Sequence, residues 1–597
     1  MMREKGWDAV VITGSDPHGS EYPAPRWKQV EWLSGFTGEA GDLVITMDHA
    51  GLWTDTRYFI QAINELQGSG IELHKTRVPE EVPIPQWLSS GVLDVEEDAL
   101  PTVAIDGLCQ GNAAVDAMVD AFGGEVNIVD VPDMLSPLWT GRPPVPSSPV
   151  MTLGDDQAGE SREQKLRWMR KFLIRKGCDA ILIPSLDEIA WILNVRGSDV
   201  EYNPVVVSYL LVTMDGAFWY VKKDGFPSGD QETSDSYYEL SADGVRVLRY
   251  DEVSLMLAGL TDVGEVESVY VDPSTLNYNM FRTLLSGPLG NSVVTGPSPV
   301  PLRKAVKNAV EIDGMREAHF EDGIAMETFL YGLETRISAG EAVSEADAAA
   351  SLDALRSRIP GYRGNSFKTI SAYGPNAALP HYSTPESGSA VLRPEGLYLV
   401  DSGGQYIFGT TDITRTVPLG PCTPLEREDY TLVLKGHIDL AMAVFPKGTA
   451  GCQLDVLARN PLWRAKRNFG HGTGHGVGFF LCVHEGPQDI RQNFNSTPLL
   501  PGMITSDEPG IYREGLHGIR HENLLLCRDE GRNDFGQWLG FETLTLCHYD
   551  TSIIVAELLT DAERDWLNAY NASVYERLSP RLPSHIALWL KAKCRPV

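Results

Sequence analysis

Two aspartates in the C-terminal half of the chain raise the first chemical question. Asp401 ends an apolar run in "LYLVDSGG", and Asp412 follows eleven residues later in "FGTTDITRT". Both read as residues of β-strands joined by a glycine-rich hairpin, which can bring the two carboxylates together. Carboxylates at close range repel, and either a shared proton or a cation between them relieves the repulsion. The plainer reading is a pair of strand-end aspartates with no common task.

The stretch "GHGTGHGVG", residues 470–478, places His471 and His475 on a backbone with glycine at every second position. Four residues of extended chain span about 13 Å. A zinc-like ion needs each nitrogen within about 2 Å. The two histidines therefore divide the labour, one as a ligand and one as a nearby proton handler. The glycines are expected to let the chain pass close beneath a metal site. A phosphate cradle is set aside, because no G-x-G-x-x-G register fits and no G-K-[ST] follows.

His484, in "VHEGPQD", reads as a histidine after a strand, a place where packing is the commoner role. Glu508, in "MITSDEPGIY", sits where Pro509 and Gly510 stop a strand. In "GIRHENLLL", alternation puts Arg520 and Glu522 on one face and His521 and Asn523 on the other. Asp401, Asp412, His475, Glu508 and Glu522 together form an oxygen-rich set with one nitrogen. Such a set suits Mn²⁺, Co²⁺ or another divalent ion, and five ligands with bridging carboxylates suit two ions.

These residues need a scaffold, and the chain is too long for one core. "KGWDAVVIT" at 5–13 returns as "KGCDAILIP" at 176–184, and "VITMDHAGLW" at 44–53 returns as "LVTMDGAFWY" at 211–220. Two matched segments in the same order indicate duplicated α/β domains, expected at 1–145 and 146–301. Between them, "SPLWTGRPPVPSSPVMTLG" has the composition of an extended linker. From 302 to 597 helical spacing gives way to glycine-broken strands, the pattern of a single α+β domain. The expected fold class is thus α/β plus α+β.

The net charge of −31 removes the basic surface that nucleic acid or an anionic membrane would need. No stretch approaches eighteen uninterrupted apolar residues, and "MMREKGWDAVVITG" carries charge where a signal peptide needs an apolar run. Eight cysteines without a C-x-x-C pair read as reduced thiols, and the expected location is the cytoplasm.

Taken in order, "DSGGQYIFGTTDITRT", "GHGTGHGVG", "VHEGP", "DEPGIY" and "GIRHEN" resemble the pita-bread metallopeptidases. This family includes methionine aminopeptidase, prolidase and the Xaa-Pro aminopeptidases. The chain is most similar to the long, three-domain aminopeptidase P form. "WLSGFTGEAG", "GLWTDTRYF" and "LDEIAWILNVRGSDVEYNPV" extend the resemblance to the front of the chain. It implies two tandem creatinase-like α/β domains before a pita-bread catalytic domain.

The resemblance also implies residue roles. Asp401, Asp412, His475, Glu508 and Glu522 would hold two divalent ions, manganese first with zinc or cobalt as alternatives, and Asp412 and Glu522 would bridge. A hydroxide between the ions would attack the carbonyl before proline, with Glu508 taking its proton. His381, His471 and His484 would surround the substrate as catalytic and binding groups, with His484 near the oxyanion and His471 on the proline side. Arg520 would orient a bridging carboxylate or the scissile segment, and Arg57 of the first domain would approach the substrate. His381, Tyr382 and His484 would shape a site for the proline ring.

The implied activity releases the first residue from short peptides with proline second, in a homodimer with no nucleic-acid or membrane partner. Prolidase, which takes only Xaa-Pro dipeptides, is the nearest alternative, and a metal-free peptide-binding relative is a remoter one. His521 replaces a usual aliphatic residue, "EPGIY" a usual pair of tyrosines, and "FETLTLCHYD" lacks a usual proline. None of the three is expected to touch a metal ligand.

Overall fold

The echoed segments fold into two six-stranded sheets with the same connectivity. In the computed structural model, which describes residues 1–96, 99–222, 231–259, 263–264, 266–385 and 387–597, the first sheet runs in the order Glu72–Lys75, Ala50–Thr54, Asp42–Ile45, Ala9–Ile12, Thr102–Ile105, Asn127–Asp130. The second runs Val245–Arg249, Ala217–Val221, Ser208–Thr213, Ala180–Ile183, Val269–Val271, Val293–Thr295. In both, the echoed runs form the antiparallel centre and the flanking strands add in parallel. Ala9–Ile12 and Ala180–Ile183 are buried along their whole length, as strands covered on both faces must be.

Both sheets belong to one compact unit, Met1–Gly154 with Glu160–Val300. Within it, the Asn112 side-chain amide donates to Leu276 O at 2.7 Å. The proline-rich stretch between the sheets is mostly without regular structure, and at its end Met151–Thr152 pairs with Val195–Arg196.

The second unit comprises Asp155–Gly159 and Pro301–Val597. Its helical opening divides into Val300–Ala305 and the long helix Ala309–Ser338. Asn308 starts the latter by accepting from Glu311 N while the Glu311 carboxylate accepts from Asn308 N. Thr423 and Glu426 start Pro424–Ala441 in the same way, with Pro424 in the first turn.

Two sheets in this unit carry the chemistry. One has the order Ile370–Tyr373, Leu397–Ser402, Ile413–Pro418. The other has the order Phe445–Pro446, Gly536–Thr543, Asn523–Asn533, Ile504–Asp507, Gly474–Gly476, Glu485–Ile490. Helix Glu345–Arg356 packs against the first, and helices Pro424–Ala441 and Gly451–Arg464 against the second. Glu522 N donates to Thr414 O at 3.1 Å, so the start of Asn523–Asn533 meets the edge strand Ile413–Pro418 beside Asp412.

Candidate metal centre

Asp401 lies in Leu397–Ser402 and pairs with Thr414 of the neighbouring strand. Asp412 falls outside that neighbouring strand, contrary to the hairpin expected from the sequence: it immediately precedes Ile413–Pro418. The intervening residues form a separate small hairpin, Gly404–Tyr406 with Gly409–Thr410, that pairs with Tyr362–Asn365 in another sheet. The detour returns Asp412 to the side of Asp401.

His475 is the middle residue of Gly474–Gly476, a strand held between Ile504–Asp507 and Glu485–Ile490. The alternating glycines serve this squeeze. A Cβ on Gly474 would stand 1.9 Å from Ser506 O, and one on Gly476 would stand 2.2 Å from Glu485 O. Close approach of neighbouring backbones, more than proximity to a metal, therefore requires glycine there. Glu485–Ile490 begins just after His484, so His484 precedes a strand and does not follow one. Likewise Gly510 opens strand Gly510–Arg513, and only Pro509 separates that strand from Glu508.

His475 Nδ1 lies 2.9 Å from Gly476 O, which places the proton on Nδ1 and turns Nε2 outward as a lone-pair donor. Nε2 lies 3.4 Å from Asp412 Oδ2 and 3.6 Å from Glu508 Oε1. One ligand atom from each of Asp412, His475 and Glu522 falls within 4.8 Å of the other two. The His484 ring meets the His475 ring edge-on, with centroids 4.4 Å apart.

Arg520 organises two of the carboxylates. Its Nη2 donates to Asp401 Oδ2 at 2.5 Å, and its Nε donates to Thr414 Oγ1 at 3.1 Å. The Thr414 hydroxyl in turn donates to Glu522 Oε2 at 2.8 Å. Asp401 Oδ1 is buried with no hydrogen-bond partner, a position that buried carboxylate oxygens rarely tolerate without an ion.

Burial raises the proton affinity of Glu522, and the Asp412, Glu508 and Asp401 carboxylates add to it, so its carboxyl stands well above the usual range. Glu508 is pushed up to about 7 by burial and by Asp412 and Asp401, against His475 and Arg520. Asp401 is raised by burial and by Asp412, against Arg520. Crowded carboxyls, an outward-facing imidazole nitrogen and an orphaned carboxylate oxygen fit divalent cations.

His471 sits apart from this cluster and joins it through Tyr512. His471 Nδ1 lies 2.7 Å from Gly472 O, and its Nε2 lies 2.7 Å from the Tyr512 hydroxyl, which accepts from Arg520 Nη1. His381 occupies a half-buried turn after the short helix Gly374–Ala378. Its neighbour Tyr382 donates to Glu345 Oε2 at 2.9 Å, so the hydroxyl of Tyr382 is engaged in scaffolding. Arg57, in the other unit, is held by both oxygens of Asp55 at 2.9 and 2.8 Å. His521 turns away from the carboxylates into a slot between the rings of Tyr430 and Tyr549.

Thr414 and Tyr512 were not among the residues expected here. Thr414 was accessible to the alternation rule, since Asp412 and Thr414 are two residues apart. Tyr512 was not: it reaches Arg520 diagonally across the pairing of Gly510–Arg513 with His517–Arg520. That reach also needs Gly510, whose Cβ would stand 2.6 Å from the Tyr512 hydroxyl.

Comparison with known proteins agrees with this geometry. Metallopeptidase family M24 matches residues 313–529, and the C-terminal region of that peptidase family matches 537–597. The creatinase/prolidase N-terminal domain matches twice, at 1–138 and 141–311. Aminopeptidase P1 of Arabidopsis thaliana is 36% identical, over 99% of this chain and 96% of its own. A probable Xaa-Pro aminopeptidase P of Fusarium vanettenii is 41% identical, over 96% of this chain and 94% of its own. The crystal structure of the X-prolyl aminopeptidase of Caenorhabditis elegans, described as a cytosolic enzyme with a di-nuclear active site, superposes with a TM-score of 0.92 at 34% identity. That superposition covers 99% of this chain and 95% of the other.

Proposed function

Since the chain belongs to metallopeptidase family M24 and matches its Xaa-Pro aminopeptidases over nearly their full length, we propose that it removes the N-terminal residue from peptides with proline at the second position. The observation that carries the reading is the convergence of Asp412, His475 and Glu522 ligand atoms within 4.8 Å, with Asp401 and Glu508 beside them. Asp401, Asp412, His475, Glu508 and Glu522 would hold two divalent cations. Manganese suits the oxygen-rich set best, ahead of zinc or cobalt. When bound, such ions lower the pKa of water and polarise the scissile carbonyl.

The chain's own residues do the rest. Glu508 takes the proton of the attacking water and returns it to the departing proline nitrogen, which becomes a secondary amine as the C–N bond breaks. His484, edge-on to His475, faces the developing oxyanion. His471, fixed by Tyr512, stands on the proline side, and His381 helps to shape the site for the proline ring. Arg520 orients Asp401 directly and Glu522 through Thr414. Arg57 is a further proposed substrate-binding residue, and Asp55 holds its guanidinium.

The proline bond is a tertiary amide without an N–H, so recognition rests on ring shape and on the free α-amino group near the acidic centre. The three-domain division at 1–145, 146–301 and 302–597 is supported by the duplicated sheets and by the succession of family matches. The cytoplasm is the proposed location, supported by the cysteine pattern; among the described residues, no helix is long and apolar enough to cross a membrane. A homodimer is the proposed assembly.

The test is metal analysis of the purified protein followed by assays on Arg-Pro-Pro and Ala-Pro with manganese. Release of arginine from the tripeptide is the expected result. Cleavage of the dipeptide alone would make the protein a prolidase. No cleavage of either, with metal content unchanged in Asp401→Ala, would make it a binding module.

A further inference from the structure

A second cluster of metal-ligating side chains lies in the first sheet, in the other compact unit. His49 stands in the turn before Ala50–Thr54, and Glu72 and His74 alternate along the edge strand Glu72–Lys75. One ligand atom from each of the three lies within 4.8 Å of the others. The two imidazoles face each other through Nε2, 3.2 Å apart. Two metal–nitrogen bonds of about 2.05 Å at the tetrahedral angle set their nitrogens about 3.3 Å apart. The observed spacing is therefore that of two ligands on one tetrahedral ion.

The surroundings are built for the pair. Trp53 stacks flat on His74, with centroids 3.8 Å apart and planes 7° apart, and Trp87 lies against His49 at 4.8 Å. Trp53 is itself held by a hydrogen bond from Nε1 to Val82 O at 3.0 Å. Room for the rings comes from Gly51, where a Cβ would stand 2.8 Å from His49 Nε2, 2.8 Å from His74 Cδ2 and 2.7 Å from Trp53 Cζ3. The indoles give the imidazoles an apolar wall that fixes their orientation, and Glu72 keeps an exposed carboxylate on the open side. Partial burial and His49 lower the pKa of His74, against Glu72, which favours the neutral, ligating ring.

The duplicated sheet provides an internal control. In the echoed segment, Gly216 stands where His49 does and Phe218 where Gly51 does. Across the matching parallel pair, Phe218 faces Arg246 and Tyr220 faces Leu248, in the places of Glu72 and His74. The same sheet is thus built without any of the three ligands, and the fold alone does not call for them.

We infer that His49, Glu72 and His74 form a surface site for one late first-row divalent cation, zinc in the first instance, separate from the catalytic centre. Two imidazoles in three ligands favour such an ion over magnesium, calcium or manganese. Without metal, one Nε2–H donates to the other Nε2. On binding, that proton moves to Nδ1 and two nitrogen–metal bonds replace the hydrogen bond. The ion pins the edge strand Glu72–Lys75 to the turn that leads into its neighbour Ala50–Thr54.

The enzyme is loaded with manganese and equilibrated with low micromolar zinc, and total metal per chain is counted by mass spectrometry. His74→Phe keeps a ring on Trp53 but removes the ligand, and His49→Gln acts from the turn. Wild type is expected to carry one more ion than either variant, with the rate on Arg-Pro-Pro the same in all three. Zinc should raise the unfolding temperature of wild type and leave the variants unmoved. Equal metal totals in wild type and both variants overturn the site, leaving a histidine–histidine hydrogen bond. Loss of the extra ion together with an equal loss of peptidase activity also overturns it, because the ion then belongs to the catalytic centre.

Discussion

The Tyr512 hydroxyl lies 2.7 Å from His471 Nε2 and links that histidine to Arg520 and so to the carboxylate cluster. Burial pushes the phenol up to about 12, with Arg520 acting against the rise, so it keeps its proton at neutral pH. The phenol therefore donates to His471 while its oxygen accepts from Arg520, and the His471 proton rests on Nδ1 toward Gly472 O. One hydroxyl sets the tautomer of His471 and anchors the arginine that holds Asp401.

Tyr512→Phe should keep its metal and lose turnover. Of the two hydrogen bonds lost, the one to His471, at about 1 kcal/mol, corresponds to a rate loss of about fivefold. Steady-state kinetics on Arg-Pro-Pro beside metal analysis will read this. A parallel fall in metal content would move the role of Tyr512 to Asp401.

The two histidines of "GHGTGHGVG" should separate in the same assays. His475→Ala removes the imidazole that faces Asp412 and Glu508, and metal affinity should fall by about 100-fold or more. His471→Ala should retain both ions and lose about 100-fold in kcat. The reverse pattern would exchange their assignments.

Glu485 should govern acid stability. It is buried with Lys304 and Lys307 at 2.5 and 2.6 Å, directly after His484. Burial alone would raise its pKa, but the two ammonium groups bring it below the usual carboxylate value. Its stabilisation is therefore complete above the unfolded value, about 4.3, and is lost as the pH falls toward the folded pKa. Glu485→Gln takes the carboxylate charge away from two buried ammonium groups and should cost about 3–5 kcal/mol at pH 7 in denaturant unfolding. It should also flatten the acid limb.

His521 should behave as a buried neutral ring. Burial first, then His437 and Arg415, push its pKa well below the usual imidazole value. The unfolded chain binds a proton near pH 6.5 that the folded chain refuses, so stability falls as the pH drops below that value. His521→Leu should remove this slope and change stability at pH 8 by less than about 1.5 kcal/mol. Unchanged metal content would agree with a ring that faces Tyr430 and Tyr549.

Local periodicity and residue type were enough for a large part of the molecule. The duplicated sheets were visible because the matched runs, buried on both faces, must be continuously apolar. The cluster of Asp401, His475, Glu508 and Glu522 was visible because strand ends and alternation mark which carboxylates can share a side. The placement of Asp412 inside a strand failed, because the chain between the aspartates enters a different sheet before returning. The alternating glycines stand out in the sequence, but the physical reason for them does not. It lies in the carbonyls of Ser506 and Glu485, which are distant in sequence and close across the sheet.

The sequence by itself determined the inventory: an oxygen-rich set of side chains with histidines among it, and two copies of one α/β pattern, both consequences of short-range spacing. Only the tertiary structure decided how those groups are held. Arg520 reaches Asp401 and Thr414 across 119 and 106 residues, and no local period encodes such contacts. They arise where the edge strand of one sheet meets the start of an interior strand of another, and there the backbone bond from Glu522 to Thr414 sets which side chains can touch.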